Sequence, residues 1–178
     1  MSLELYIMRH GETDWNHLNK IQGQKDIELN KTGIAQAEKA REEFNKYEFD
    51  LIICSPLKRA RQTAEIINKD KNIEIIYDKA IIERGLGDFE GIDTEVDEEK
   101  LYNYKLNIKT NNIEPILEVC NRVYKLLNYI KENINNKKVL LVTHGGTSRV
   151  ISSYFYGIND DGTLPPEDLK NCEFRKYL

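Results

Sequence analysis

The apolar residues of this chain fall into short runs separated by segments with a helical repeat. Leu3 to Met8, Phe49 to Cys54, Ile73 to Tyr77 and Lys138 to Thr143 have strand length. Near-continuous apolar runs of this size suit strands buried on both faces of a sheet. Thr32 to Tyr47 repeats at helical spacing and places Ile34, Ala37, Phe44 and Tyr47 on one face. Ser55-Pro56 reads as an N-cap followed by proline in the first turn. The helix it opens runs to about Asn68, with Leu57, Ala60, Ala64 and Ile67 inward. The longest amphipathic stripe runs from Ile113 to Ile134 through Ile116, Leu117, Cys120, Val123, Tyr124, Leu127 and Ile130. Gly145-Gly146 leads into a further helix to about Tyr156, and Asn171 to Leu178 suits a last edge strand.

Strands alternating with helices predict an α/β fold, three-layer αβα with a mostly parallel central sheet. One segment breaks the alternation. Gly91 to Asn112 is polar and acidic, and is expected to form a short helical cap insertion above the sheet of a single domain spanning 1–178. Within it, the acidic run Asp93 to Glu99 suits a solvated helix face, and Tyr102 and Tyr104 suit packing.

Composition narrows the functions. With 178 residues the chain can bury a full core, and 40% hydrophobic against 31% charged residues is ordinary for a globular protein. A net charge of −4 argues against nucleic acid as a partner, since that binding rests on many lysine and arginine contacts to phosphates. No apolar run reaches the roughly 18 residues of a membrane span, and Met1 to Met8 has no signal-peptide pattern, so a cytoplasmic location is the expectation. Cys54, Cys120 and Cys172 have neither zinc spacing nor the look of a disulfide framework.

In an open parallel sheet, ligands bind beyond the carboxyl ends of the strands. Here the first strand runs into Arg9-His10-Gly11-Glu12, the second into Cys54-Ser55 with Arg59 one turn on, and the fourth into Thr143-His144-Gly145-Gly146. Two imidazoles and two guanidiniums can therefore converge on one point, which suits a phosphoryl group. Arginines offer forked donors to its oxygens, a helix start offers free backbone N–H groups, and a histidine can attack phosphorus in line. Positive charge is expected from Arg9, Arg59 and a protonated His144. The bland alternatives are a solvated Arg9-His10 loop, a hydrogen-bonded structural His144, and an Arg59 that pairs with Glu65 on its own helix.

The segment Leu5-Tyr6-Ile7-Met8-Arg9-His10-Gly11-Glu12-Thr13-Asp14-Trp15-Asn16 resembles the signature of the histidine phosphatase superfamily, also called phosphoglycerate mutase-like. Four further blocks follow in the family's order: Gln22 to Gly33, Ser55 to Ala64, Glu83 to Gly91 and Val142 to Gly146. The resemblance implies that His10 is a nucleophile that becomes phosphorylated. It implies a phosphate pocket of Arg9, Arg59 and His144, with donors from Asn16 and the Gly145 backbone. Glu83 would be the general acid, with Glu90 as the competing carboxylate, and Gln22 and Gly23 would touch the substrate beyond the phosphate. The scheme needs no metal and no cofactor. The partner it implies is a small phosphorylated metabolite.

The family contains phosphatases and mutases. A mutase must shield its phosphoenzyme from water, usually beneath a closed basic lid. The insertion here is short, carries more acids than lysines, and lacks arginine. Hydrolysis of a small phosphomonoester is therefore the expected activity, and Gln22-Gly23 resembles the small-molecule phosphatase branch. Two alternatives stay open, a cofactor-dependent phosphoglycerate mutase-type phosphotransferase and a non-catalytic phosphate-binding module.

Overall fold

The computed structural model describes residues 2–93, 96–166 and 169–178. Five strands form one sheet in the order β3-β2-β4-β1-β5. They are β1 (Glu4–Arg9), β2 (Leu51–Cys54), β3 (Ile75–Tyr77), β4 (Lys138–Thr143) and β5 (Phe174–Lys176). The first four run parallel and β5 pairs antiparallel to β1 at the edge. Among the described residues, six α-helices accompany them: α1 (Asp14–His17), α2 (Lys31–Phe44), α3 (Lys58–Ile67), α4 (Glu98–Leu101), α5 (Ile116–Asn133) and α6 (Gly145–Tyr156).

The two-residue alternation of each strand explains the layers. Tyr6, Met8, Ile52, Cys54, Leu140 and Val142 point to one face and pack with Phe44 of α2 and with Ala60, Ala64 and Ile67 of α3. Leu5, Ile7, Leu51, Ile53, Val139 and Leu141 point to the other face, where Val119, Val123, Leu127 and Ile130 of α5 and Val150 and Ile151 of α6 cover them. Burial on both faces is why these strands lack polar alternation in the sequence.

Several local expectations are corrected. Ser55 does not cap α3. The N-cap is Leu57 without a side-chain bond, and the Ser55 hydroxyl turns into the site. Ile34 of α2 and Leu117 of α5 are exposed, because each lies at the margin of its apolar stripe. The long helix starts at Ile116, since Pro115 holds its neighbour out of helical geometry, although Ile113 is still buried. The strand at Ile73 to Tyr77 is shorter and lies at the sheet edge, with Ile76 and Tyr77 exposed. Of the acidic run Asp93 to Glu99, Glu95 lies outside the described residues, as does Thr94 in the same insertion. The insertion's helix is the single turn α4, capped by Asp97.

No helix among the described residues is long and apolar enough to cross a membrane.

Candidate active site

Strand register brings the reactive residues together. Arg9 lies opposite Thr143 in the parallel β1–β4 pair, so the next residues, His10 and His144, leave the sheet side by side. Their ring centres are 5.1 Å apart. Cys54 lies opposite Val142, which delivers Ser55 beside the same point. A cleft of about 770 Å³ opens there, lined by Arg9, His10, Asn16, Gln22, Gly23, Arg59, Glu83 and Gly145, among others. His144, assigned to the phosphate pocket in the sequence, does not line it, nor does the competing carboxylate Glu90.

The protonation of the two histidines follows from their partners. Nδ1 of His10 lies 2.7 Å from the Gly11 carbonyl oxygen, which can only accept, so Nδ1 carries the hydrogen. Burial, then the charge of Arg59, holds this imidazole well below its usual range. The Gly11 bond opposes that shift, and Arg9 adds to it. His10 is therefore neutral near pH 7, with an unprotonated Nε2 that has no partner among the described residues. The loop carrying it is pinned by the Gly11 N–H, which donates to Thr63 Oγ1 at 3.0 Å, and by Asn171 Nδ2, which donates to the His10 carbonyl at 2.8 Å.

His144 is fully buried and both ring nitrogens are engaged. Arg59 donates its Nε–H to Nδ1 at 3.1 Å, so the hydrogen sits on Nε2, which donates to Ser55 Oγ at 2.7 Å. Burial and the Arg59 charge hold His144 well below the usual imidazole range as well. The expectation of a protonated His144 is corrected: the residue is neutral because an arginine donates to it.

Arg59 does not pair with Glu65; Arg61 takes that partner at 3.8 Å. Arg59 is fully buried, with Nη1 donating to the Lys25 carbonyl at 2.8 Å and Nη2 to the Gly23 carbonyl at 2.7 Å. Burial lowers it to about 10, so it remains a cation at neutral pH. Gly23 takes a positive φ of 50°, and a β-carbon there would lie 2.0 Å from Glu90 Oε1. Glu90 itself staples the loop, accepting the Gln24 and Leu86 N–H groups at 2.9 and 3.0 Å. Arg9 donates from Nη1 to the Leu169 carbonyl at 3.1 Å, while its buried Nε has no partner among the described residues. A buried unpaired donor of this kind suits an anionic ligand.

Thr13 caps α1 and forms a capping box with Asn16, whose Oδ1 accepts the Thr13 N–H at 3.2 Å. The Thr13 hydroxyl donates to Gln22 Oε1 at 2.9 Å. Both amide oxygens are thereby engaged, leaving the amide NH₂ groups of Asn16 and Gln22 as donors to the cleft.

Glu83 sits on the start of α6. Oε2 accepts the Gly146 N–H at 3.1 Å, and Oε1 accepts the Thr147 N–H at 3.0 Å, the Thr147 hydroxyl at 3.1 Å and the Arg84 N–H at 2.8 Å. The expectation of several free N–H groups at this helix start is corrected. The carboxylate takes two of them, and only that of Gly145 is without a partner among the described residues. The Glu83 carbonyl accepts from Gln24 Nε2 and Arg122 Nη2 at 2.9 and 3.3 Å, which fixes its loop.

The sequence reading missed Tyr102 and Arg149, which line the outer cleft. Arg149 recurs four residues after Gly145, on the same helical face, and that spacing was the available signal. Tyr102 had none, because its position depends on how the insertion folds back. Among the described residues, no group of three or more His, Cys, Asp or Glu side chains converges to hold a metal.

The comparisons agree with this geometry. The family model described as histidine phosphatase superfamily (branch 1) matches residues 5–176. An uncharacterized phosphatase of Bacillus subtilis, PhoE, is 40% identical over 151 residues, 85% of this chain and 76% of its own. A probable phosphoglycerate mutase of Escherichia coli, GpmB, is 34% identical over 150 residues, 80% of this chain and 70% of its own. Among solved structures, a histidine-to-alanine variant of the phosphoserine phosphatase of Entamoeba histolytica, in complex with phosphoserine, superposes with a TM-score of 0.78. It is 28% identical, with 98% of this chain and 89% of that one covered. A family model that spans nearly the whole chain, joined to a site in which its motif residues meet at the strand ends, places this protein in branch 1 of the histidine phosphatase superfamily.

Proposed function

We propose that the protein hydrolyses a small phosphomonoester through a phosphohistidine at Nε2 of His10. The observation that carries this reading is the Nδ1–H bond to Gly11, which leaves a neutral imidazole with its Nε2 lone pair exposed to a cleft bounded by two guanidiniums. Arg9 and Arg59 stabilise the charge that spreads over the phosphoryl oxygens, and the Gly145 N–H adds a donor. Nε2 bonds to phosphorus as the ester P–O bond breaks, and Glu83 as the carboxylic acid gives its proton to the departing oxygen. Water then attacks phosphorus, its proton passes to Glu83, and the P–N electron pair returns to the ring. The kinship with named phosphatases supports hydrolysis. So does the short insertion, whose Glu98 carboxylate lines the cleft where a shielding lid would be basic.

Mixing the enzyme with substrate and quenching rapidly without acid should trap an acid-labile, base-stable phosphoprotein, absent from His10→Ala. Substantial turnover in His10→Ala would reject the mechanism. With 3-phosphoglycerate the product should be free phosphate; isomerisation without phosphate release would select the mutase reading instead.

A further inference from the structure

We propose that Gln36, Thr63 and Asn171 are positioning residues that lock Gly11, so that its carbonyl keeps the hydrogen of His10 on Nδ1 and leaves Nε2 bare. The catalytic consequence of this lock rests on the phosphatase reading; the lock itself does not.

The bond at stake is local and would be easily lost. Nδ1 of His10 donates to the carbonyl of the very next residue, at 2.7 Å. The two torsions of Gly11 place that carbonyl, and glycine torsions are soft because no β-carbon restricts them. The hydrogen bonds of a neutral imidazole decide which ring nitrogen carries the hydrogen. Rotation at Gly11 would break the bond and let the hydrogen settle on Nε2, the nitrogen that must attack phosphorus.

Distant elements hold both peptide planes that flank Gly11. In the plane before it, the His10 carbonyl accepts from Asn171 Nδ2 at 2.8 Å and the Gly11 N–H donates to Thr63 Oγ1 at 3.0 Å. The Thr63 hydroxyl gives its own hydrogen to the Arg59 carbonyl at 2.7 Å, so a lone pair faces Gly11. In the plane after it, the Glu12 N–H donates to Gln36 Oε1 at 2.9 Å. That N–H and the Gly11 carbonyl belong to one trans peptide, in which they point opposite ways. Fixing the N–H on α2 therefore aims the carbonyl back at the imidazole.

The surroundings leave the turn little slack. A β-carbon at Gly11 would lie 2.7 Å from the Gly33 carbonyl oxygen of α2 and 3.2 Å from Cys172 Sγ. Thus α2, α3 and the segment leading into β5 all meet at this one glycine. Gln36 does not line the cleft, so its contribution is separable from contact with substrate.

The tautomer can be read without turnover. The chain has three histidines, His10, His17 and His144, and isotope-labelled histidine lets each ring be followed by long-range proton–nitrogen correlation. Near pH 7 the hydrogen should sit on Nδ1 of His10 and on Nε2 of His144. Gln36→Met keeps a long side chain and removes the acceptor. It should bring in the Nε2–H form of His10, while the His144 pattern stays fixed by Arg59 and Ser55. On p-nitrophenyl phosphate, kcat should fall about five-fold, as for one lost hydrogen bond, with KM changed by less than about two-fold. Gln36→Glu retains an acceptor and should recover most of that loss. Asn171→Leu removes a different donor and should shift the same tautomer, which keeps the test open if Gln36→Met fails to fold. An unshifted His10 in both variants would overturn the lock, as would a His144 pattern that moves with it or a loss confined to KM. Turnover separates the two readings. A shifted tautomer in a protein that releases no phosphate from any ester would keep the lock and reject the phosphatase. Steady phosphate release with an unshifted tautomer in both variants would do the reverse.

Discussion

Arg59 donates its Nε–H to Nδ1 of His144 at 3.1 Å, and this one bond fixes the protonation of the site. A histidine that accepts from a buried cation cannot also be protonated at that nitrogen. Positive charge in the cleft therefore rests on the guanidiniums, and both imidazoles stay neutral.

The neutral histidines should show in stability against pH. The folded-state pKa values of His10 and His144 lie well below 6.5, so in the window below about pH 6.5 the unfolded chain binds more protons than the folded one. Stability contributed by these residues is complete above that pH and falls as pH drops through the window. Two such groups give a slope of up to about 2.7 kcal/mol per pH unit. Urea midpoints measured between pH 7 and pH 5 should decline accordingly, and a flat profile would contradict the buried neutral pair.

Arg59 holds the Gly23–Lys25 loop, and the proposed mechanism gives it the phosphate as well. Arg59→Ala should lower kcat/KM on p-nitrophenyl phosphate by roughly 10²-fold or more, by comparison with loss of an oxyanion donor. Arg59→Lys should recover only part, since an ammonium cannot bridge the Gly23 and Lys25 carbonyls and still fork to phosphate. Full activity in the lysine variant would show that charge alone suffices.

The proposed mechanism draws its positive charge from guanidiniums, so treatment with a chelator should leave steady-state turnover unchanged. Activity lost on chelation and restored by magnesium or zinc would reject that division of labour.

Glu83 should matter in proportion to how poor the leaving group is. An alkoxide needs a proton as the P–O bond breaks, whereas p-nitrophenolate departs without one. Glu83→Gln should slow alkyl phosphates far more than p-nitrophenyl phosphate. Equal losses on both would assign Glu83 to positioning. A leaving-group effect confined to Glu90→Gln would move the acid to that residue.

Gly146→Ala tests the crowding at the start of α6. Its new methyl must displace the Tyr102 hydroxyl or the Glu83 carboxylate. Overpacking of this kind costs about 1–3 kcal/mol, visible as a lower thermal midpoint, together with a reduced kcat on alkyl phosphates. An unchanged midpoint and rate would mean that Tyr102 swings away freely.

What the sequence determined by itself was the framework and the motif. Runs such as Leu5 to Met8 and Val139 to Val142 are apolar at every position because both faces are covered, and that mark is local and readable. Arg9, His10, Arg59 and Glu83 fall in blocks whose order and spacing identify the family before any contact is known. Tertiary structure decided what each group is bonded to. Ser55 looks like a helix cap in sequence, yet its hydroxyl faces a histidine 89 residues away. His144 looks like a phosphate donor, yet its ring is spent between Arg59 and Ser55. Tyr102 reads as packing within a polar insertion until the fold lays it against Arg149 and Gly146. Burial and periodicity are written in neighbouring residues, so a sequence displays them. The partner of a hydrogen bond and the protonation it enforces depend on where distant backbone returns in space, and only the folded chain brings those atoms together.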